Sequence, residues 1–189
     1  MKQRNKQKNK QKNKQKNKQK RIFLLTAMLM FAFAFFRFNT IDAQAASKYT
    51  IYVNRKTNLV NVTDSKTGKL VKAMYCSTGK NYRTISGTYN TTAKYKWRAL
   101  IHGVYGQYST RIHGPYLFHS VPYYSVNKSK VSTKEYNKLG LQASAGCIRL
   151  AVTDAKWIYD NCRIGTKVVI GESRTLKKPA RPKVKVSTK

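Results

Sequence analysis

The most informative part of the chain is the stretch Ser144-Ala145-Gly146-Cys147-Ile148-Arg149-Leu150, with Phe118-His119-Ser120-Val121-Pro122 upstream of it. A cysteine nucleophile needs a base that takes its proton, a fixed orientation for that base, and hydrogen-bond donors for the oxyanion that develops. His119 has a ring that titrates near neutral pH. Gly146 lets the backbone approach a substrate closely, and the amides around Cys147 can point at an oxyanion. The two stretches therefore predict a catalytic pair of Cys147 and His119.

Both stretches resemble motifs of the L,D-transpeptidases, cysteine enzymes that cross-link bacterial peptidoglycan. The family pattern is a His followed by Ser or Gly and then, after a variable gap, Ser/Thr-His-Gly-Cys and an apolar residue. The residues that match this pattern are His119, Ser120, Ser144, Gly146, Cys147 and Ile148, with Pro122 and Tyr123 following the histidine as in one version of the motif. The resemblance covers roughly residues 49–171, and Ser77–Lys80 and Thr84–Tyr89 look like early hairpins of the family.

The chain departs from the family pattern in two places. Ala145 stands where the family usually has a second His, which removes an accessory residue and leaves the catalytic pair intact. The 27 residues between His119 and Cys147 are more than the usual gap. We interpret the excess as an insertion around residues 126–137, where Ser, Lys and Asn predict a loop.

The resemblance implies a role for each motif residue. Cys147 forms a thioester with the donor peptide, and His119 generates the thiolate and later activates the acceptor amine. The backbone carbonyl of Ser120 orients the His119 ring, and the amides of Gly146 and Cys147 form much of the oxyanion hole. The remaining candidates, assigned to substrate binding, are Ser144, Arg149 and Tyr123.

The same resemblance implies the substrate and the fold. The substrates are peptidoglycan stem peptides, and the products are 3→3 cross-links or stems whose terminal D-alanine has been exchanged. The expected fold is mainly β, an L,D-transpeptidase-type β-sandwich with one short helix after the catalytic cysteine. No cofactor is expected, because the sequence has neither a His, Cys and Asp cluster with metal-ligand spacing nor a glycine-rich phosphate loop.

Two residue assignments stay open at this point. His113, which is followed by Gly114, is a rival base, although the Ser-Val-Pro-Tyr continuation favours His119. Arg149 either binds a substrate carboxylate through its planar guanidinium or holds the active-site loop through backbone carbonyls.

Two other functions compete with the transpeptidase. A sortase-like cysteine acyltransferase shares the order of His before Cys, but sortases need Thr-Leu-x-Thr-Cys and a distant Arg, whereas Ser-Ala-Gly-Cys precedes Arg149 here by two residues. A non-catalytic, basic wall-binding protein explains the charge and leaves the Gly-Cys motif unexplained.

Local patterns independently indicate a mostly β scaffold. Strand-like runs at Tyr49–Val53, Leu59–Thr63 and Leu70–Cys76, separated by turns, predict meandering antiparallel sheets. One helix is expected after Cys147, with Thr153 as its N-cap and with Ala155, Ile158, Tyr159 and Cys162 on one face. A closing strand is expected at residues 167–170.

The N-terminal part predicts export. Residues 1–21 are a basic repeat that cannot bury apolar surface, and Ile22–Phe36 is an apolar run too short for most membrane spans. Ala43-Gln44-Ala45 then has the small residues of a cleavage site. We assign residues 1–45 to a basic n-region plus signal peptide, with an uncleaved signal anchor as the alternative. The mature protein is expected at the cell wall or on the outer face of the cytoplasmic membrane.

Charge and cysteine content describe the remaining chain. The 189 residues carry a formal charge of +33, and the part from Ala46 onward holds 27 basic and 5 acidic residues. In an exported protein this charge predicts attraction to anionic cell-wall polymers, no nucleic-acid partner, and membrane contact through the signal segment only. Residues 46–172 are assigned to the catalytic domain and residues 173–189 to a basic flexible tail. Cys162 is expected in the core, Cys76 ends a strand-like run, and a disulfide between the two stays open.

Overall fold

The computed structural model describes residues 47–180, together with residues 19, 20 and 23. The chain divides into two compact units, Met1–Gln44 and Ala45–Lys189. In the first unit the three described residues are helical, and the predicted basic repeat, apolar run and cleavage site otherwise lie outside the described residues. None of the helices in the described ranges has the length and apolar character needed to cross a bilayer.

Nine strands make up one sheet within residues 47–180. Their bounds, β1 to β9 in chain order, are Tyr49–Asn54, Leu59–Asp64, Leu70–Ser77, Gly87–Asn90, Ala93–Ala99, Tyr105–His113, Tyr116–Ser120, Ile148–Leu150 and Lys167–Gly171. The spatial order is β4-β9-β1-β2-β3-β8-β7-β6-β5. Strand β3 pairs with β2 along most of its length and with β8 at Cys76 and Ser77, so it belongs to both halves of a curled sheet. The predicted mainly β fold is confirmed.

The sheet is mixed, which corrects the expectation of purely antiparallel pairing. Strand β9 runs parallel to β1, and β8 runs parallel to β7. Parallel neighbours need a long crossover connection, whereas antiparallel neighbours need only a hairpin. The segment between β7 and β8 is such a crossover, and it leads the chain from His119 to Cys147.

Two α-helices lie in the described second unit, α1 at Thr133–Tyr136 and α2 at Val152–Asn161, together with 3₁₀ turns at Lys80–Tyr82, Ile101–Gly103 and Lys128–Lys130. The N-cap prediction was wrong by two residues, because α2 begins at Val152 and Ala151 caps it without a side-chain hydrogen bond. The predicted loop around residues 126–137 is partly helical. Ser132 caps α1 by accepting from the Glu135 amide at 3.3 Å.

One core joins both halves of the sheet to α2. Ala155 and Ile158 of α2 are buried in it, together with Ile51, Val53, Val60, Val62, Met74, Cys76, Ile112, Phe118, Ile148, Leu150, Cys162, Val168 and Ile170. Burial of this apolar set is the main force that curls the sheet around the helix. All three cysteines are free, so the structure contains no disulfide between Cys76 and Cys162.

The start of the predicted flexible tail is instead held against the sheet. Leu176 is buried in a second apolar cluster with Leu59 and Tyr75. The Asn61 side chain donates to the Lys177 carbonyl at 2.9 Å and accepts from the Lys177 amide at 2.8 Å. The tail therefore begins later than residue 173.

Candidate active site

The parallel pair of β7 and β8 brings the two motifs together. His119 lies opposite Arg149, and Phe118 lies opposite Ile148, in neighbouring strands that are about 4.8 Å apart. Side chains alternate between the two faces of a strand, so Cys147, one residue before β8, shares the face of His119 and Arg149. Phe118 and Ile148 point the other way, into the core. His119 and Cys147 consequently line the same pocket.

His119 is held in one orientation by its surroundings. The side chain is 2% exposed, and its Nδ1 lies 2.6 Å from the Ser120 carbonyl oxygen. Because a carbonyl only accepts, Nδ1 carries the hydrogen, and in the neutral ring Nε2 keeps a lone pair that can take a proton. Burial is the main cause that lowers the pKa of His119 to about 4, with the Arg149 charge adding to it and the Ser120 hydrogen bond opposing it.

Gly106 lies directly against the His119 ring. A Cβ added at Gly106 would meet His119 Cβ at 2.9 Å and His119 Cγ at 3.0 Å, closer than real Cβ contacts come. A glycine inside β6 is therefore needed so that the histidine side chain can pack on the strand. The Gly106 position was not singled out from sequence, although a lone Gly within a strand-like run is the signal of such a close approach.

Cys147 is half-buried and lines the pocket. Its thiol is 3.6 Å from the Pro115 carbonyl, to which it donates. Burial raises the pKa of the Cys147 thiol, while the Leu117 amide and the charges of Arg149 and Arg111 act in the opposite direction. The raised pKa of the thiol and the lowered pKa of the imidazole both favour the uncharged forms of Cys147 and His119.

The loop before the cysteine is fixed by Ser144. The Ser144 hydroxyl accepts from the Gly146 amide at 3.0 Å and donates to the Cys147 carbonyl. The Gly146 amide is therefore already bonded, which corrects its predicted role as an oxyanion donor; the Cys147 amide stays a predicted donor. Gly146 itself has φ of +149°, and a Cβ there would come within 3.0 Å of the Tyr116 ring.

A second segment, residues 79–84, is fastened to this loop. Thr84 Oγ1 accepts from the Gly79 amide and donates to the Gly146 carbonyl, both at 2.7 Å. The Lys80 amide donates to the Ser144 carbonyl at 3.0 Å. Thr84 belongs to a stretch that the family resemblance had already marked, and the structure shows its contact with the Cys147 loop.

Arg149 holds the loop and also reaches the pocket. Its guanidinium pairs with Glu135 of α1 and donates to the Ala143 carbonyl at 3.2 Å. Lys138 pairs with the same carboxylate at 2.5 Å. Burial opposes ionisation of Glu135, but the two cations together hold its carboxyl pKa below the usual value. These contacts match the structural interpretation of Arg149, and the role of Glu135 had no signal in the sequence.

The pocket has a volume of about 820 Å³. Its wall includes the Cys147 loop, the end of β7 and the turn between β5 and β6. Most of its ionisable lining is basic: Lys80, Arg83, Arg98, His102, Arg111, Lys138 and Arg149, against the single acid Glu135.

Tyr123, predicted to bind substrate, and His113, the rival base, both lie away from this pocket wall. Tyr123 is buried, its ring packs edge-on against Trp97, and its hydroxyl donates to Gln107 at 3.1 Å. It does not line the pocket, because the antiparallel bridge to Tyr105 turns it inward. His113 is exposed and stacks on Tyr89 instead of lining the pocket. The geometry therefore favours His119 over His113 as the base.

The described ranges offer no cluster of metal ligands. Within residues 47–180 and the three described residues before them, no group of three or more His, Cys, Asp or Glu side chains could hold a metal ion. The groups that the pocket offers are a thiol, an imidazole, backbone amides and cations.

Comparison with known families agrees with the motifs. Residues 48–170 match the family described as YkuD, the L,D-transpeptidase catalytic domain. The chain therefore belongs to the L,D-transpeptidase catalytic domain family, as the resemblance predicted.

Individual relatives cover parts of the chain. A stretch of 62 residues is 53% identical to YciB of Bacillus subtilis (strain 168), whose name includes the term L,D-transpeptidase. This stretch makes up 33% of this chain and 31% of that protein. A solved fused Zn-dependent amidase/peptidase/peptidoglycan-binding domain-containing protein from Clostridium acetobutylicum ATCC 824 is 32% identical with a TM-score of 0.52, over 65% of this chain and 51% of that chain. The chain thus spans only part of the length of each.

A further solved structure shares the fold. L,D-transpeptidase 3 from Mycobacterium tuberculosis, solved with a faropenem-derived adduct, is 21% identical with a TM-score of 0.52. The likeness covers 67% of this chain and 61% of that chain. At this level of identity the likeness shows a shared fold, the curled β-sheet, and nothing more.

Proposed function

We propose that this protein is a peptidoglycan L,D-transpeptidase that acts through a Cys147 thioester with His119 as the base. The observation that carries this proposal is the shared face of β7 and β8, on which the Cys147 thiol and a His119 ring with an available Nε2 meet in one pocket. Family membership supplies the reaction class.

The first half-reaction transfers the donor stem to the enzyme. The Cys147 thiol gives its proton to His119 Nε2, and Sγ attacks the carbonyl carbon of the third residue of a tetrapeptide stem. The Cys147 amide donates to the oxyanion, and the Leu117 amide faces the sulfur. Collapse breaks the bond to the terminal D-alanine, whose nitrogen leaves with the proton from His119.

The second half-reaction returns the acyl group to an amine. The acceptor amine attacks the thioester carbonyl, His119 takes one of its protons, and the C–S bond breaks. His119 then returns the proton to the Cys147 sulfur. When the amine belongs to the third residue of another stem, the product is a 3→3 cross-link, and when it belongs to a free D-amino acid, the fourth position is exchanged.

We also propose that the protein works outside the cytoplasmic membrane. The apolar run at residues 22–36 and the Ala43-Gln44-Ala45 site support export through a signal segment. The basic charge of the mature part supports attraction to anionic wall polymers. This placement puts the pocket where peptidoglycan stems are found.

The test is muropeptide analysis with purified protein and tetrapeptide stems. We expect 3→3 cross-linked or D-alanine-exchanged products from the wild type and none from Cys147→Ala. Cys76→Ala and Cys162→Ala are matched controls that should keep substantial activity, because both thiols are buried in the core away from the pocket.

Four outcomes would contradict the proposal. Equal loss of activity in all three folded variants would show that Cys147 has no special role. Exclusive 4→3 cross-links from pentapeptide stems would indicate D,D-chemistry. Cleavage and transfer of a sorting-type protein substrate would favour the sortase-like alternative, and wall binding without turnover would favour the non-catalytic one.

A further inference from the structure

Three cations on the pocket wall lack an acidic partner. Lys80, Arg83 and Arg98 all line the pocket, their side chains are exposed, and none takes part in an ion pair among the described residues. Arg98 lies over the Tyr95 ring at 4.9 Å. Among the described residues, Lys80 and Arg83 therefore have neither an acidic partner nor an aromatic ring beneath the charge.

The acid of the pocket does not compensate for these charges. Among the described residues Glu135 is the one carboxylate on the wall, and it already pairs with both Lys138 and Arg149. Arg111 adds another cation and is bonded to the Tyr95 hydroxyl and the Gly114 carbonyl, which are neutral. The field in the pocket is consequently positive, and a concave wall with one sign of charge attracts oppositely charged ligands.

The backbone that carries Lys80 and Arg83 is held at a fixed position relative to Cys147. Their segment is attached to the Cys147 loop through the Thr84 hydroxyl and through the Lys80 amide, with hydrogen bonds of 2.7 to 3.0 Å. The Arg83 carbonyl also lies 3.4 Å from the place of a Cβ on Gly146. A stem held with its scissile carbonyl at Cys147 would therefore pass these two side chains.

We propose that Lys80 and Arg83 form a carboxylate-binding subsite, so that the enzyme selects stems with free side carboxylates over stems in which these are carboxamides. The groups concerned are the α-carboxylate of the γ-linked D-glutamate and, where the third residue is diaminopimelate, its distal carboxylate. This inference rests on the proposed function, since it concerns which stem the same pocket prefers.

Charge-assisted hydrogen bonds distinguish a carboxylate from a carboxamide. An ionised carboxylate accepts strongly from guanidinium and ammonium donors, and Arg can bind it with two parallel hydrogen bonds. A carboxamide keeps one acceptor and loses the charge. Because both side chains are exposed, each contact is weak, and we expect the two together to change affinity about tenfold.

The experiment measures binding to the inactive Cys147→Ala protein, so that it does not depend on turnover. The ligands are a synthetic tetrapeptide stem with free carboxylates and the same stem with those carboxylates amidated. We expect the free stem to bind about tenfold more tightly. The double variant Lys80→Gln and Arg83→Gln should abolish this difference in affinity, because it should weaken binding of the free stem only. Lys56→Gln with Lys69→Gln removes the same charge outside the pocket and should preserve the difference.

Each other outcome is decisive. Equal affinity of the two stems for the parent protein overturns the subsite, and so does an equal effect of the two double variants, which would reduce the preference to net charge. Loss of affinity for the amidated stem as well, in a folded Lys80→Gln and Arg83→Gln protein, also overturns it. Failure of the wild type to process either stem, with the binding preference intact, would instead count against the proposed transpeptidation.

Discussion

His119 combines a buried ring with a hydrogen bond to the Ser120 carbonyl, and as the proposed base it would set the acid limb of the pH profile. Its pKa, lowered to about 4, keeps the ring neutral and able to accept a proton in mildly acidic solution. An ordinary histidine with a pKa of about 6.5 would be protonated there. We expect kcat/KM to stay level as the pH falls from about 7 to about 5 and to decrease only towards pH 4, measured with a tetrapeptide donor.

Two histidine variants complete this prediction. His119→Ala should lower the rate about 100-fold or more, the scale of lost acid–base catalysis. His113→Ala should leave the rate and the pH profile nearly unchanged, because His113 stacks on Tyr89 outside the pocket. An acid limb centred near pH 6.5 would show that the histidine is charged at rest.

Gly106 is the second position at which a single residue is expected to affect activity. Gly106→Ala would place a methyl group 2.9 Å from His119 Cβ and 3.1 Å from Nδ1, so the ring must shift and its bond to the Ser120 carbonyl must lengthen. We expect at least a tenfold decrease in kcat/KM with a stability cost of about 1–3 kcal/mol. Gly171→Ala is the matched control, since nothing lies within 4 Å of its added Cβ. Unchanged kinetics in Gly106→Ala would contradict the packing.

At the scale of elements, the segment after β9 acts as part of the domain. Leu176 is 9% exposed and packs beside Leu59 and Tyr75, and Asn61 binds the Lys177 backbone through two hydrogen bonds. Leu176→Ala should therefore lower the free energy of unfolding by about 2 kcal/mol, measured by urea denaturation. Thr175→Ala, at an exposed neighbouring position, should change it little. Equal effects of the two changes would mean that the segment is not docked in solution.

The crossover between β7 and β8 is the other element that matters for the site. It contains α1, whose Glu135 pairs with Arg149, two residues after Cys147. The extra residues between the two motifs thus contribute a structural partner to the Cys147 loop. The sequence-based interpretation of residues 126–137 as an inserted loop did not predict this contact with Arg149.

At the scale of the whole molecule, charge predicts location. The part from Ala46 onward carries 27 basic and 5 acidic residues. We expect the secreted protein to begin near Ala46 and to bind isolated cell walls at low ionic strength. Salt at about 1 M should release it, because the Debye length then falls to about 3 Å. Extracellular protein that still carries the basic repeat, shown by N-terminal sequencing, would contradict cleavage, and salt-resistant binding would contradict an electrostatic attachment.

Local sequence determined much of this molecule. The motifs around His119 and Cys147 identified the family, and strand-like runs with intervening turns located β1, β2, β3 and β9 to within a residue or two. Such features depend on residue type and on short-range periodicity, which the chain itself displays. The helix after Cys147 was likewise visible, although its N-cap was not, since Ala151 has no side chain that signals a cap.

Only the tertiary structure decided how these parts meet. Strand pairing depends on burial across the whole core, so the parallel pairs of β7 with β8 and of β1 with β9 had no local signature. The same holds for the contact of Gly106 with His119, for the bond of the Gly146 amide to Ser144, and for the inward turn of Tyr123. Each of these contacts depends on neighbours that the fold brings together. Where those neighbours are distant in sequence, they meet only when the sheet curls around its core.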